Sequence, residues 1–158
     1  MIRRAQNRDI PDVIRLLHQV LEVHHQGRPD LFKGNATKYS AEELEGIFAD
    51  DRRPVFVCTD ENDSRVLGYA FCIHQQVTDS PILTDIRTLY LDDLCVDEAC
   101  RGQHIGQSLF EYVKAYAREA GCYNLTLNVW SRNAAALRFY EACGLTPQKI
   151  GMELLLQE

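Results

Sequence analysis

Apolar positions recur at helical spacing through Ile10, Val13, Ile14, Leu17, Val20 and Leu21, which predicts a first helix. Asn7 or Asp9 serves as its cap, and Pro11 sits in its first turn. A short strand, Met1 to Ala5, precedes it. Gln26 to Tyr39 holds Gly, Pro and Asn without periodicity and reads as a long loop. Ser40-Ala41-Glu42-Glu43 has the form of a capping box and opens a short helix to about Ala49. Val55 to Thr59 and Val66 to Val77 are apolar runs joined by the polar Asp60-Glu61-Asn62-Asp63-Ser64, a hairpin pattern.

Thr88 to Val96 alternates as a further strand. From Ile105 the period changes, and Leu109, Tyr112, Val113, Tyr116, Ala117 and Ala120 mark one face of a helix ending near Gly121. A strand Leu125 to Trp130, a helix from about Asn133 to Ala142 and a final strand pair to Leu156 complete the order β-α-α-β-β-β-α-β-α-β. This order predicts an α+β fold with one mixed, mostly antiparallel twisted sheet, helices on both faces, and a parallel β-α-β unit in its second half. No linker or repeat divides the chain, so a single domain over residues 1–158 is expected.

The chain has 158 residues, and its 17 Lys+Arg against 23 Asp+Glu leave a formal net charge of −6. That balance argues against nucleic acid as the main partner and would draw cationic molecules inward. No stretch nears the roughly 18 consecutive apolar residues of a membrane span, and the start reads as no secretory leader. Six cysteines (58, 72, 95, 100, 122 and 143) show no Cys-x-x-Cys pair. They read as reduced thiols of a cytoplasmic protein, with no metal site. His24-His25 is adjacent rather than i,i+4 and reads as a solvated helix end.

Candidate chemistry gathers in the second half. Arg101-Gly102-Gln103-His104-Ile105-Gly106 lies between a strand and a helix, where two glycines expose backbone amides beside a positive helix end, an arrangement suited to a pyrophosphate. It is neither a Walker A sequence nor a Gly-x-Gly-x-x-Gly fingerprint. Asp92-Asp93 is the second feature. Simple alternation sends the carboxylates to opposite faces, Asp92 with Tyr90, Leu94 and Val96, and Asp93 with Leu91 and Cys95. Each face is otherwise largely apolar, so a cleft or a neighbouring cation is expected for at least one of them. Asn128 and Trp130 share a strand face and border an acceptor pocket or the core.

Leu91-Asp92-Asp93-Leu94-Cys95-Val96, then Arg101 to Gly106, then Asn133-Ala134-Ala135-Ala136-Leu137-Arg138-Phe139-Tyr140-Glu141-Ala142-Cys143-Gly144, resembles the acetyl-CoA core of the GNAT N-acetyltransferase superfamily. The motif detail covers about residues 88–146. The resemblance implies acetyl-CoA as donor, held by the β-α-β core. It places the acetyl-pantetheine arm against Leu94, Cys95 and Val96, with the amides of Leu94 and Val96 as its contacts. The pyrophosphate falls to Arg101, Gly102, Gln103, His104, Ile105, Gly106 and Gln107, and Asn133 and Ala136 lie beside the cofactor arm. Tyr140 corresponds to the acid that protonates the leaving thiolate. His104 stands where that pattern has its first glycine, so it either weakens the grip or adds a contact.

The Asp92-Asp93 strand resembles the polyamine (diamine) acetyltransferases, where one carboxylate holds or deprotonates the cationic amine. Asp92 is nominated for that role and Asp93 as a salt-bridge partner, with the roles exchangeable; Asn128 borders the substrate. The loop holding Arg28, Asp30, Phe32 and Tyr39 lies where this superfamily often builds its acceptor site. The expected activity is acetyl transfer to a primary amine of a small cationic molecule by direct attack. A protein or peptide amine acceptor and a non-catalytic acyl-CoA-binding module are the alternatives. No nucleic-acid or membrane partner is expected, and a homodimer stays open, since many relatives form one.

Overall fold

Residues 1–157 are described by the structure, a computed structural model. The chain forms two compact units, the first Met1–Asn128 and the second from Val129 onward. In the first unit, strands β1 (Ile2–Arg4), β2 (Val55–Thr59), β3 (Val66–Gln76), β4 (Arg87–Val96) and β5 (Asn124–Thr126) form a sheet in the order β1-β2-β3-β4-β5. The first three pairings are antiparallel and β4–β5 is parallel. The connection between these two parallel strands runs through α3 (Ile105–Glu119).

Every residue of β2 is buried, because the sheet is covered on both sides. Helices α1 (Ile10–Gly27) and α2 (Ala41–Phe48) cover one face, where Val13, Leu16, Leu17, Leu44 and Ile47 pack with Val55, Val57, Tyr69, Phe71 and Cys95. Helix α3 covers the other. There Phe56 meets Tyr112 and Tyr116 edge-on, and His74 Nε2 lies 2.7 Å from the Tyr116 hydroxyl. Gly68 marks the closest approach: a Cβ at that position would stand 2.8 Å from the Cys95 carbonyl and 3.0 Å from Leu109 Cδ1.

The capping box of α2 forms as its sequence demands, with Ser40 Oγ accepting from the Glu43 amide and Glu43 Oε1 accepting from the Ser40 amide. Asp9 departs from expectation. It occupies the N-cap position of α1, but its carboxylate turns away to Arg3 and the Gln6 amide, tying β1 to a 3-10 turn at Asn7–Asp9.

Two further differences concern the strands of the second half. The strand expected over Leu125–Trp130 is only Asn124–Thr126, so Asn128 and Trp130 lie beyond the ladder and strand alternation does not govern them. In the second unit α4 (Ala134–Ala142) forms, capped by Asn133. The final strand pair to Leu156 does not: the described residues 145–157 carry no regular secondary structure. Among the described residues, no helix is long and apolar enough to cross a membrane.

Candidate active site

The sheet register changes within β4. Phe71 stands opposite Asp93, but the next β3 residue, Cys72, stands opposite Leu91, leaving Asp92 as the extra residue of a β-bulge. The bulge undoes the simple alternation. Leu91 is carried to the α3 face with Cys72, while Asp93 and Cys95 stay with Tyr69 and Phe71 on the α1/α2 face. The grouping of Leu91 with Asp93 and Cys95 is therefore corrected, because one inserted residue shifts the side-chain period of the strand.

Beyond the bulge, β4 loses a neighbour. Its pairing with β5 runs from Thr88↔Asn124 to Tyr90↔Thr126 and stops. The Asp97 amide donates to the Leu67 carbonyl at 2.8 Å, so the β3 side is taken by Asp97, Cys95 and Asp93. Alternate residues aim their amides at the opposite edge, so Leu94 and Val96 present theirs where β5 has ended. The Cys95 thiol instead faces inward, donating to the Leu16 carbonyl at 3.8 Å, and burial pushes it up to about 12.

The two carboxylates of the bulge have different surroundings. Asp93 accepts a hydrogen bond from the Tyr69 hydroxyl at 2.7 Å, and Tyr69 is itself fully buried. Burial pushes the Asp93 carboxyl up to about 6; the Tyr69 hydrogen bond and the charge of Lys38 oppose this only in part. Asp92 makes the ion pair, its Oδ2 lying 3.0 Å from Lys38 Nζ. Burial is the largest influence and works against the Lys38 charge, but the hydrogen bond and charge of Asp92, with Tyr39 and Asp93, together outweigh it and raise the pKa. Of the two exchangeable roles, the ion pair thus falls to Asp92 and the perturbed carboxyl is Asp93.

Lys38 was not visible as a site residue in the sequence; 54 positions separate it from Asp92. The loop that delivers it is fastened to α1 by histidines. His18 Nδ1 lies 3.0 Å from the Ala36 carbonyl, and His25 Nδ1 lies 2.7 Å from that of Phe32. His24 stacks on Phe32 at 5.1 Å, and burial, then Lys38, lower its pKa. The adjacent histidines are thus loop fasteners, which corrects their reading as a solvated helix end. Tyr39 carries the loop onto the sheet, stacking on Phe71 at 5.9 Å.

After β4 the chain turns at Asp97, which is 2 % exposed. Its carboxylate accepts from Arg15 at 2.6 Å, Arg65 at 3.2 Å, Gln19 at 3.3 Å and the Ala99 amide at 3.1 Å. Burial opposes its ionisation, yet these donors hold it down to about 2. Then come Arg101, Gly102, Gln103 and His104, all exposed. Gly102 has φ +86° and His104 φ +60°, both in the left-handed region. His104 is the N-cap of α3 without a side-chain bond to it, and the first turn holds no acidic residue. The amides of Ile105, Gly106 and Gln107 therefore lack intrahelical partners by geometry and face outward with the positive end of the helix. These features fit a pyrophosphate.

In the second unit, Asn133 Oδ1 accepts from the Ala136 amide at 3.2 Å, so these two residues form the cap of α4. Tyr140 is half-buried on the same helix, its ring 5.2 Å from that of Phe139. Asn128, in the first unit, donates to the Tyr90 hydroxyl at 3.1 Å.

A mixed five-stranded sheet with a bulged fourth strand, followed by a glycine turn into a helix, makes this an α+β protein. Residues 18–145 match the Acetyltransferase (GNAT) family, and the chain belongs to it. It is 30% identical over 63 residues to a glucosamine 6-phosphate N-acetyltransferase of Arabidopsis thaliana, covering 40% of each chain. It is 38% identical over 58 residues to a thialysine N-epsilon-acetyltransferase of Bos taurus, covering 37% of this chain and 34% of that one. The chain thus aligns with well under half the length of these curated relatives. A mutant of the BH1408 protein of Bacillus halodurans superposes with a TM-score of 0.94 at 32% identity over 99% of both chains. The structure of the Arabidopsis thaliana glucosamine-6-phosphate N-acetyltransferase superposes with a TM-score of 0.71 at 20% identity, covering 99% of this chain and 98% of that one.

Proposed function

We propose that the protein transfers an acetyl group from acetyl-CoA to the primary amine of a small cationic molecule by direct attack, and that residues 1–158 act as one N-acetyltransferase domain. The observation that carries this reading is the stretch from the bulge to α3. Two carboxylates, a stretch of β4 past the end of its pairing with β5, and a glycine turn opening a helix follow one another there within about fifteen residues. The match over residues 18–145 runs across both units, which supports the single-domain reading. Two curated relatives are named for amine acetylation, of glucosamine 6-phosphate and of the thialysine ε-amine.

Acetyl-CoA, when bound, supplies an acetyl thioester activated for attack by an amine. The amides from Gly102 to Gln107, with Arg101, would hold its pyrophosphate, and those of Leu94 and Val96 would hold its arm. Asn133 and Ala136 are proposed beside that arm from the family motif. Asp92 binds the acceptor ammonium. Asp93, held up to about 6 and hydrogen-bonded to Tyr69, takes the proton the amine must lose, directly or through water. Tyr140 gives its proton to the departing thiolate, a transfer suited to a phenol of ordinary pKa about 10.

Calorimetry with CoA and acetyl-CoA, followed by thiol release over a panel of amines, tests the reading. Binding together with acetylation of an amine is the expected result. Absence of binding at millimolar ligand would refute the assignment. Binding without acetylation of any amine would establish a non-catalytic acyl-CoA module instead.

A further inference from the structure

We propose that the acceptor carries an acid group as well as its amine, as a diamino acid does, and that Lys38 is the residue that recognises the acid group. This rests on the reading of Asp92 as the site of the acceptor ammonium. At that site stands a cation already, since Lys38 Nζ lies 3.0 Å from Asp92 Oδ2. The pair is open to solvent, with side-chain exposures of 45% for Lys38 and 22% for Asp92. Pairs so exposed contribute little to stability, so this one is readily exchanged for other partners.

Lys38 is nonetheless well positioned. Its ammonium lies 5.3 Å from the centre of the Tyr39 ring, and that ring stacks on Phe71, the residue opposite Asp93. Behind it, His18 and His25 hold the loop to α1 through the carbonyls of Ala36 and Phe32. The cation is delivered to the bulge by a fastened loop.

The consequence follows from counting charges. A plain diamine arriving at Asp92 must take the carboxylate from Lys38, leaving two cations facing each other across one partner. An acceptor with a carboxylate or phosphate exchanges partners instead. Its ammonium takes Asp92, its acid group takes Lys38, and one ion pair becomes two. Lys38, Asp92 and ionised Asp93 sum to −1, which a diamino acid of net charge +1 balances. The same bulge therefore discriminates against simple diamines while it still accepts an overall cationic acceptor.

The test compares L-lysine with cadaverine, which is the same chain without the carboxylate, and repeats the comparison with ornithine and putrescine. With acetyl-CoA saturating, kcat/KM for the carboxylated member of each pair is expected to exceed that for the diamine by about 10-fold or more. Lys38→Met keeps the aliphatic stem and is expected to abolish the preference, chiefly through KM, while Lys38→Arg retains it. A wild-type preference for the diamines, or a preference unchanged in Lys38→Met, overturns the proposal. Turnover of neither kind of amine also overturns it. Calorimetry of acetyl-CoA on the same preparations keeps the two readings apart. Bound acetyl-CoA with undiscriminating turnover sinks only the role of Lys38, whereas absent binding sinks the acetyltransferase reading too.

Discussion

Replacing Asp93 by asparagine isolates the electrostatics of the bulge. The carboxyl rises from 3.8 to about 6 on folding, with burial as the main cause. At 1.36 kcal/mol per pKa unit this corresponds to about 3 kcal/mol. Below the lower value the carboxyl is protonated in both states and contributes nothing. As pH climbs from there to about 6, the unfolded chain releases its proton while the folded chain keeps it, so stability falls across that window. Above about 6 the full penalty is present. Asparagine carries no charge at any pH and still offers an oxygen to the Tyr69 hydroxyl. Asp93→Asn is therefore expected to gain about 3 kcal/mol relative to wild type between pH 3.5 and pH 8. Urea unfolding of both proteins at half-unit steps measures it, because the difference between them removes every other titrating group. A difference that stays flat with pH would show that Asp93 is not desolvated, and the reasoning would fail. In the proposed reaction the same variant also loses the acid limb of the kcat profile near pH 6.

Tyr140→Phe is expected to lower kcat by about 10²–10⁴ with the Kd for acetyl-CoA unchanged, measured by thiol release and calorimetry. An unaltered kcat would remove the acid role. His104→Gly relieves a left-handed residue with a Cβ, so thermal unfolding should show a gain of about 0.5–1 kcal/mol. Gly68→Ala drives a Cβ into the Cys95 carbonyl and Leu109, and a loss of about 2–3 kcal/mol in denaturant unfolding is expected.

Much of the frame was legible because it rests on local rules. The capping box at Ser40, the hairpin of β2 and β3, the helical period after Ile105 and the glycine turn before it all depend on neighbours within a few residues. Where pairing partners lie far apart, local pattern misled. Three residues of β5 pair with β4, and the apolar run beyond them does not extend the ladder. The alternation at Leu91, Asp92 and Asp93 looked regular, yet a single extra residue reverses which face Leu91 occupies. His24 and His25 looked solvated because the loop that covers them comes from the following segment.

Sequence alone determined the order of elements as far as α4, the turn of exposed amides at the start of α3 and the presence of two adjacent carboxylates, since spacing and residue type suffice for each. Tertiary structure decided what those carboxylates are. Desolvation beside Tyr69 makes one a weak acid, and a lysine from a distant loop makes the other half of an ion pair. Both effects come from charge and solvent exclusion in three dimensions, which no one-dimensional period encodes.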